Sequence, residues 1–386
     1  MATNPHTAES GPVRENARIT SLDLIRGVAV LGILLMNAVS FKFGQAPYFN
    51  LSAGGSENWL DWTVGIFGEI FVDQKFMGLF SLLFGAGMIL FIDRASARGR
   101  RAVLLNLWRN GLLLLIGLLH FMFWDGDVLV AYALSSVFLI ALRKLPNWWM
   151  VFVGVLVFVL SVGIALLMQY IANETVISLS RSWEPGVVTV DEQEYFDALL
   201  ALGFLLRALG MILIGAGLYR MGFMNGGKLA KTYQHTAWVG LAIGLPLAAV
   251  GVIFTAVNDY SREIAFVGQI PNILGTIPAS LGYMSLIILW NNRADNWLKH
   301  RLRAVGRMAL TNYLTQTILG VLVLTTLLAD TDFVNRSLVL LFVFAVWALQ
   351  IWWSQAWLNR FLFGPAEWLW RVATYRSGQP FVRRRD

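Results

Sequence analysis

The sequence predicts an all-α polytopic integral membrane protein with ten or eleven transmembrane helices and a short re-entrant or interfacial helix near 59–72. Three observations carry this expectation. Of 386 residues, 57% are hydrophobic and only 14% charged, against about 25% charged in a soluble domain. Apolar runs of roughly 20 residues, the length a helix needs to cross a bilayer, recur along the whole chain. The basic residues gather in alternate loops, as the positive-inside rule requires. A net charge of +7 would by itself fit a nucleic-acid binder. Its distribution instead assigns it to topology and anionic lipid.

The elements follow in order. Residues 1–20, "MATNPHTAESGPVRENARIT", are polar and read as a mobile cytoplasmic tail. No small-residue cleavage site follows "LDLIRGVAVLGILLMNAVSF", so this run reads as a retained first span and not a signal peptide. Spans are expected at 22–41, 74–92, 104–123, 128–142, 148–171, 198–219, 233–257, 266–290, 308–328 and 337–358. They form one transmembrane domain, 21–376, followed by a basic cytoplasmic tail, 377–386. With the N-terminus inside, the inner segments hold most of the 30 Lys and Arg residues, among them Arg94, Arg98, Arg100, Arg101, Arg143, Lys144, Arg301, Arg303 and Arg307. The outer loops hold Asp125, Asp127, Glu174, Glu184, Asp191, Glu192, Glu194, Asp259, Glu263, Asp330 and Asp332. Both termini are therefore expected on the cytoplasmic side of the membrane. "WLDWTVGIFGEIFV" (59–72) is short of the roughly 20 residues of a full span and carries Asp61 and Glu69, which makes it re-entrant or interfacial.

Several chemistries are excluded. With no cysteine, disulfides, thiol nucleophiles and Cys-ligated metals are absent. The four histidines, His6, His120, His235 and His300, are too scattered for a metal cluster. There is no GxxxxGK[ST], HExxH or GxSxG, which argues against ATP-driven pumping and zinc proteolysis.

What remains are ionisable residues inside the apolar runs, each a functional candidate because the bilayer penalises it. In "GLLHFMFWDGDVLVAY", His120 ends the third span and Asp127 opens the fourth across a tight turn. An antiparallel pair brings them together, as a base and its orienting carboxylate; the plain alternative is an interfacial histidine and an N-cap. Arg207 lies roughly 13 Å into the sixth span at 1.5 Å per residue. It needs a partner such as Asp127, Glu69 or Asp73, and serves either an ion pair or a substrate anion. Asp23 and Arg26 are three apart on one helix face, with Asn37 at the other end of that span. Asp73, Gln74 and Lys75 open the second span ahead of Gly85 and Gly87, which permit close packing. "GQIPNILGTIP" (268–278) is either a kink or a cavity-lining interruption. In "GRMALTNYLTQT", Thr311 with Thr315 and Asn312 with Gln316 are i, i+4 pairs. They make interhelical hydrogen bonds or line a cofactor tunnel.

Together "SLDLIRGVAVLGILLMN", "KFMGLFSLLFGAGM", "LLIGLLHFMFWDGDVLVAYAL", "AVGRMALTNYLTQT" and "FGPAEWLWRVATY" resemble, in this order, the YeiB-like family of bacterial membrane proteins, over about residues 18 to 376. That family looks related to the transmembrane acyltransferases, which include the lysosomal heparan-glucosaminide acetyltransferase and O-acetylating enzymes of bacterial envelopes. The resemblance implies acyl transfer from cytosolic acyl-CoA, acetyl-CoA first among them, to a sugar across the membrane by a histidine. It maps the "LDLIRG…N" opening onto Asp23, Arg26 and Asn37. The lysosomal enzyme's histidine follows its first span, whereas 42–58 contains none here. Either His120 substitutes from another helix or the reaction differs.

The expected mechanism places CoA phosphates on Arg26, Arg109 and Arg307, with Arg371 nearby, and the pantetheine arm along Asn312 and Gln316. His120 acts as base, Asp127 orients it and Asn37 holds the oxyanion. Arg207, Glu69, Asp73 and Lys75 contact substrate. The expected partners are membrane lipids, the cytosolic acyl donor, an envelope glycan or lipid-linked acceptor and, optionally, a second copy in a homodimer; no nucleic acid and no metal are expected. The alternative is a transporter or translocator of a small or lipid-linked anion, working without covalent chemistry.

Overall fold

A computed structural model describes residues 19–174, 179, 183–184 and 190–383, without the side chains of 190–195. The predicted N-terminal tail up to residue 18, Arg181 and the last three residues lie outside that set, as do the side chains of Asp191, Glu192 and Glu194. Among the described residues there are fourteen α-helices and no strand beyond one isolated bridge, Phe361 to Val382. They are α1 (Thr20–Phe43), α2 (Ala46–Phe49), α3 (Trp59–Phe67), α4 (Lys75–Ala97), α5 (Ala102–Phe121), α6 (Leu129–Leu142) and α7 (Asn147–Glu174). The rest are α8 (Val190–Arg220), α9 (Ala230–Val257), α10 (Ile270–Asn291), α11 (Trp297–Arg307), α12 (Ala309–Gly320), α13 (Arg336–Arg360) and α14 (Pro365–Tyr375).

Nine helical stretches among the described residues are long and apolar enough to cross a membrane, and α6 adds a shorter apolar helix. The all-α polytopic expectation holds. Asn291 donates to Thr20 (3.4 Å) and the Trp370 indole donates to the Arg109 carbonyl (2.9 Å), which gathers the beginning and end of the bundle on one side, the tail end. Gln45 meets Asp125 (3.1 Å) on the opposite side, the loop end.

Glycines let the helices touch backbone to backbone. A Cβ on Gly27 of α1 would lie 2.0 Å from the Leu302 carbonyl oxygen of α11, and one on Gly85 of α4 would lie 2.0 Å from the Ile212 oxygen of α8. Such contacts are how apolar helices associate where the lipid is as apolar as they are. Gly85 is thus the packing residue of its pair, whereas Gly87 faces open space. The "GQIPNILGTIP" motif does not interrupt its helix: Pro271 sits in the first turn of α10, where its missing N–H costs nothing, and Pro278 lies inside a continuous helix.

The real break lies far earlier in the chain, just ahead of α4. The 59–72 segment forms α3 and then a π-helical turn, Gly68–Val72, that runs directly toward α4. Gln74, a non-glycine residue at φ 61°, separates the two helices. A left-handed non-glycine and a π turn together are a local departure that surrounding contacts must hold in place.

Candidate functional site

The buried residues of α5 are Ala102, Asn106, Asn110, Leu113, Gly117 and His120, spaced four and three apart. That stripe faces the bundle, while Leu115, Leu118, Leu119 and Phe121 face outward. His120 therefore points inward because of its register. The turn after α5 folds back so that the Phe123 and Trp124 amides donate to the His120 carbonyl. Asp127 then precedes α6, and its Oδ2 accepts the Val130 amide at 3.1 Å. Asp127 thus bonds the first turn of α6 from the position before its N-cap, Val128, and also meets the imidazole.

His120 Nδ1 lies 2.8 Å from Asp127 Oδ1, and the Asp127 side chain is fully enclosed. Tyr313 of α12 donates its hydroxyl to the same Oδ1 at 3.2 Å. A carboxylate only accepts, so Nδ1 carries the proton. Nε2 of a neutral ring is then the acceptor, and Thr317 Oγ1, 2.9 Å away, donates to it. Aspartate, imidazole and hydroxyl stand in series, the arrangement that makes an imidazole a base toward a hydroxyl. The Trp124 ring lies edge-on to the imidazole at 6.0 Å and its indole donates to Ser40 of α1 at 2.9 Å.

Gly117 permits this approach. A Cβ there would sit 2.9 Å from the Val130 nitrogen and 3.1 Å from Asp127 Oδ2. Gly117→Ala is expected to push α6 from α5 and destabilise the fold by about 1–3 kcal/mol, read as a lower midpoint in thermal unfolding. An unchanged midpoint would show that the contact is slack.

Asn37 is half-buried, and no hydrogen bond among the described residues reaches its side chain. It lies three positions before Ser40, so it shares the α1 face that carries the Trp124 contact. No contact with His120 is observed.

A second polar cluster surrounds the break before α4. Asp73 accepts the Tyr48 hydroxyl (2.9 Å) and Asn272 Nδ2 (2.8 Å). Lys75 donates to the Glu69 carbonyl (2.8 Å) and to Asn272 Oδ1. Arg207 donates to Gln74 Oε1 (2.6 Å) and stacks on Phe204 at 4.2 Å. Arg207 thus reaches the Asp73 cluster, as expected, but through the amide of Gln74 and not by a direct ion pair. Tyr48, outside the spans, has its hydroxyl pushed well above the usual phenol range by burial and then by Asp73.

The tail end carries the cations. Arg26 pairs with Asp23 at 3.3 Å. Arg109 stacks on Phe91 (4.7 Å) and Trp370 (4.2 Å), within electrostatic reach of both Arg26 and Arg371. Arg371 lies over Phe363 at 4.4 Å, and Arg307 closes α11. Glu367 of α14 accepts the Leu310 amide (2.7 Å) and the Thr311 amide (3.1 Å) at the start of α12, together with the Thr311 hydroxyl. Burial pushes its carboxyl above its ordinary 4.5, against the lowering pull of those donors. A carboxyl that holds its proton more tightly when folded contributes stability below its unfolded pKa, and that contribution is lost as pH rises through the folded value. Glu367→Gln is expected to flatten the pH dependence of unfolding above about pH 4.5; an unaltered profile would contradict this.

One expectation needs correcting. The Asn312 and Gln316 face does not line an open channel. Asn312 Nδ2 donates to Ser354 (3.1 Å) and to the Val305 carbonyl, its Oδ1 accepts the Trp353 indole, and Gln316 Nε2 donates to Gln350 (2.9 Å). The plainer reading, interhelical hydrogen bonds, is what forms, because α13 presents a matching amide and hydroxyl. The His120–Asp127 pair is met instead by another i, i+4 pair of the same motif, Tyr313 and Thr317. The sequence signal was present, but the choice of face depends on where α5 packs.

The chain is 34% identical to the uncharacterized protein YeiB of Escherichia coli (strain K12), over 95% of this chain and 98% of that one. The chain belongs to the YeiB-like family. This YeiB-like chain is also 29% identical to the uncharacterized protein YxaH of Bacillus subtilis (strain 168), over 97% and 98% of the two chains. An uncharacterized 39.9 kDa protein in the amylase 3' region of Bacillus acidopullulyticus is 27% identical over 97% and 99%. Residues 218–377 match the family described as a protein of unknown function, DUF418. No solved structure matches.

Proposed function

We propose that this chain is a membrane-bound acyltransferase. It takes an acyl group from cytosolic acyl-CoA, acetyl-CoA in the first instance, and passes it to an envelope glycan or lipid-linked acceptor on the other side of a bacterial inner membrane. Both termini are cytoplasmic in this reading. The observation that carries it is the buried Asp127–His120–Thr317 series at the loop end, opposite the Arg26–Arg109–Arg371 group at the tail end.

The tail-end arginines meet the phosphates of the donor; Arg307 adds charge to the same end. Aromatic stacking holds the Arg109 and Arg371 guanidinium planes in place before an anion arrives. At the loop end, Asp127 keeps the proton on Nδ1, so Nε2 is the basic nitrogen. An acceptor hydroxyl takes the place of Thr317 at Nε2, gives up its proton there and attacks the thioester carbonyl. The imidazolium then returns the proton to the departing thiolate, which leaves as the free thiol of CoA. Asn37, with its side-chain donors uncommitted, shares the α1 face of Ser40, which bonds Trp124 beside the imidazole, and is the candidate oxyanion donor.

The experiment is transfer from radiolabelled acetyl-CoA by purified protein in nanodiscs. Binding followed by release of CoA supports the reading, and absence of both removes it. Arg26→Ala and Arg109→Ala are expected to raise the acetyl-CoA Kd about tenfold or more each, as loss of a charge-assisted phosphate contact does, while labelling of the bound fraction proceeds. Unchanged affinity in both variants would place the donor elsewhere.

A further inference from the structure

Two polar groups of opposite character lack partners in an otherwise paired network. Glu69 is 9% exposed, and its Oε1 is buried with no hydrogen bond among the described residues. Arg207 is 7% exposed; its Nε and Nη1 are used by Gly203 and Gln74, while Nη2 has no acceptor among the described residues and is not fully enclosed. Buried polar groups in native structures are almost always satisfied, so the Glu69 carboxyl calls for a partner from outside the chain, and Arg207 keeps Nη2 free to bond one.

Each orphan faces a pocket. Beside Arg207 is a pocket walled by Ile164, Met168, Leu200 and Phe266. Beside Glu69 is another, with Thr255, Tyr260 and Asn272 in its wall. Phe49 and Gln269 line both pockets, and one hydrogen bond, Gln269 Nε2 to the Phe49 carbonyl at 3.2 Å, joins them into the partition. Tyr48, adjacent to Phe49, feels the charge of both Glu69 and Arg207, so the two groups flank the same short segment.

The charge balance narrows the ligand. Asp61, Glu69 and Asp73 stand against Lys75, Arg207 and Arg336, all six buried. A ligand of one sign would leave an uncompensated charge in a low-dielectric site, at a cost of several kcal/mol; a ligand carrying both signs would not. We propose that these adjoining pockets receive the headgroup of a zwitterionic amphiphile, its anionic group on Arg207 and its primary ammonium on Glu69, with its apolar chain along Ile164, Met168 and Leu200. The headgroup straddles the Phe49–Gln269 partition and replaces its single hydrogen bond. The inference does not rest on acyl transfer and stands or falls separately from it.

The test is binding of soluble short-chain lipids to the purified full chain in detergent, by calorimetry or native mass spectrometry. The probes are dihexanoyl phosphatidylethanolamine, phosphatidylcholine, phosphatidylglycerol and free phosphoethanolamine. The ethanolamine lipid is expected to bind about tenfold or more tightly than the choline lipid, which has no N–H, and than the glycerol lipid, which has no cation. Glu69→Gln brings the ethanolamine lipid to the level of the glycerol lipid and leaves the latter unchanged; Arg207→Gln weakens all three lipids. Gly203→Ala guards against misfolding. Its Cβ would lie 3.6 Å from Ile164 Cγ2 and 3.8 Å from Arg207 Nη2, so it narrows the pocket without a clash and favours the helix. It is expected to keep or raise the melting temperature while weakening the ethanolamine lipid several-fold. Equal binding of ethanolamine and glycerol lipids overturns the proposal. So does phosphoethanolamine binding as tightly as the whole lipid, or ethanolamine-lipid affinity indifferent to Gly203→Ala and Glu69→Gln.

Discussion

His120→Ala is expected to lower acetyl transfer by about 10²–10⁴-fold, the usual contribution of a positioned general base, with acetyl-CoA affinity nearly intact. The reasons are geometric. Both ring nitrogens are engaged by groups that set the tautomer, Asp127 at 2.8 Å and Thr317 at 2.9 Å, so the basic nitrogen faces a hydroxyl. Asp127→Asn should act in the same direction, since its amide can turn a donor toward Nδ1 and shift the ring proton to Nε2. Thr317→Val separates two roles. If Thr317 only holds the ring until an acceptor arrives, the loss is modest, about tenfold or less. Initial-rate measurements with radiolabelled acetyl-CoA check all three. Full activity in His120→Ala would end the assignment of this site, even if acyl transfer itself were found.

Lys75→Met is expected to destabilise the protein by about 3–5 kcal/mol, the range for removing one partner from a buried charged network. Lys75 is fully buried and donates to the Glu69 carbonyl and to Asn272, which in turn holds Asp73. Without the ammonium, Asp73 and Glu69 remain as buried acids facing fewer cations, and the break at Gln74 loses its anchor. Thermal unfolding in detergent should show the drop, and Lys75→Met with Asp73→Asn together should recover part of it. A single variant that melts with the wild type would mean that water already reaches the cluster.

The architecture was legible because membrane insertion is a one-dimensional problem. Apolar length and the placement of arginines constrain each helix separately, so the expected spans and the observed helices differ mainly at their ends. The 128–142 span begins at Leu129 because Asp127 is committed to the turn, and the 59–72 segment joins α4 through a π turn that lets Asp73 and Lys75 both meet Asn272 of α10. The His120–Asp127 contact was also legible, since seven residues separate them across a tight turn between antiparallel helices.

What the sequence determined alone was whatever depends on neighbours along the chain: the all-α class, the apolar spans, the Asp23–Arg26 pair and the His120–Asp127 pair. Tertiary packing decided the rest. Thr317 and Tyr313 reach the dyad from α12, 186 to 197 positions away, and Gln74 comes between Arg207 and Asp73 from a left-handed turn. Asn312 and Gln316 turn to α13 instead of an open channel. The physical reason is that a helix displays several polar faces of equal merit, and only the rotation imposed by backbone contacts such as Gly27 on Leu302 and Gly85 on Ile212 selects the one that meets a partner.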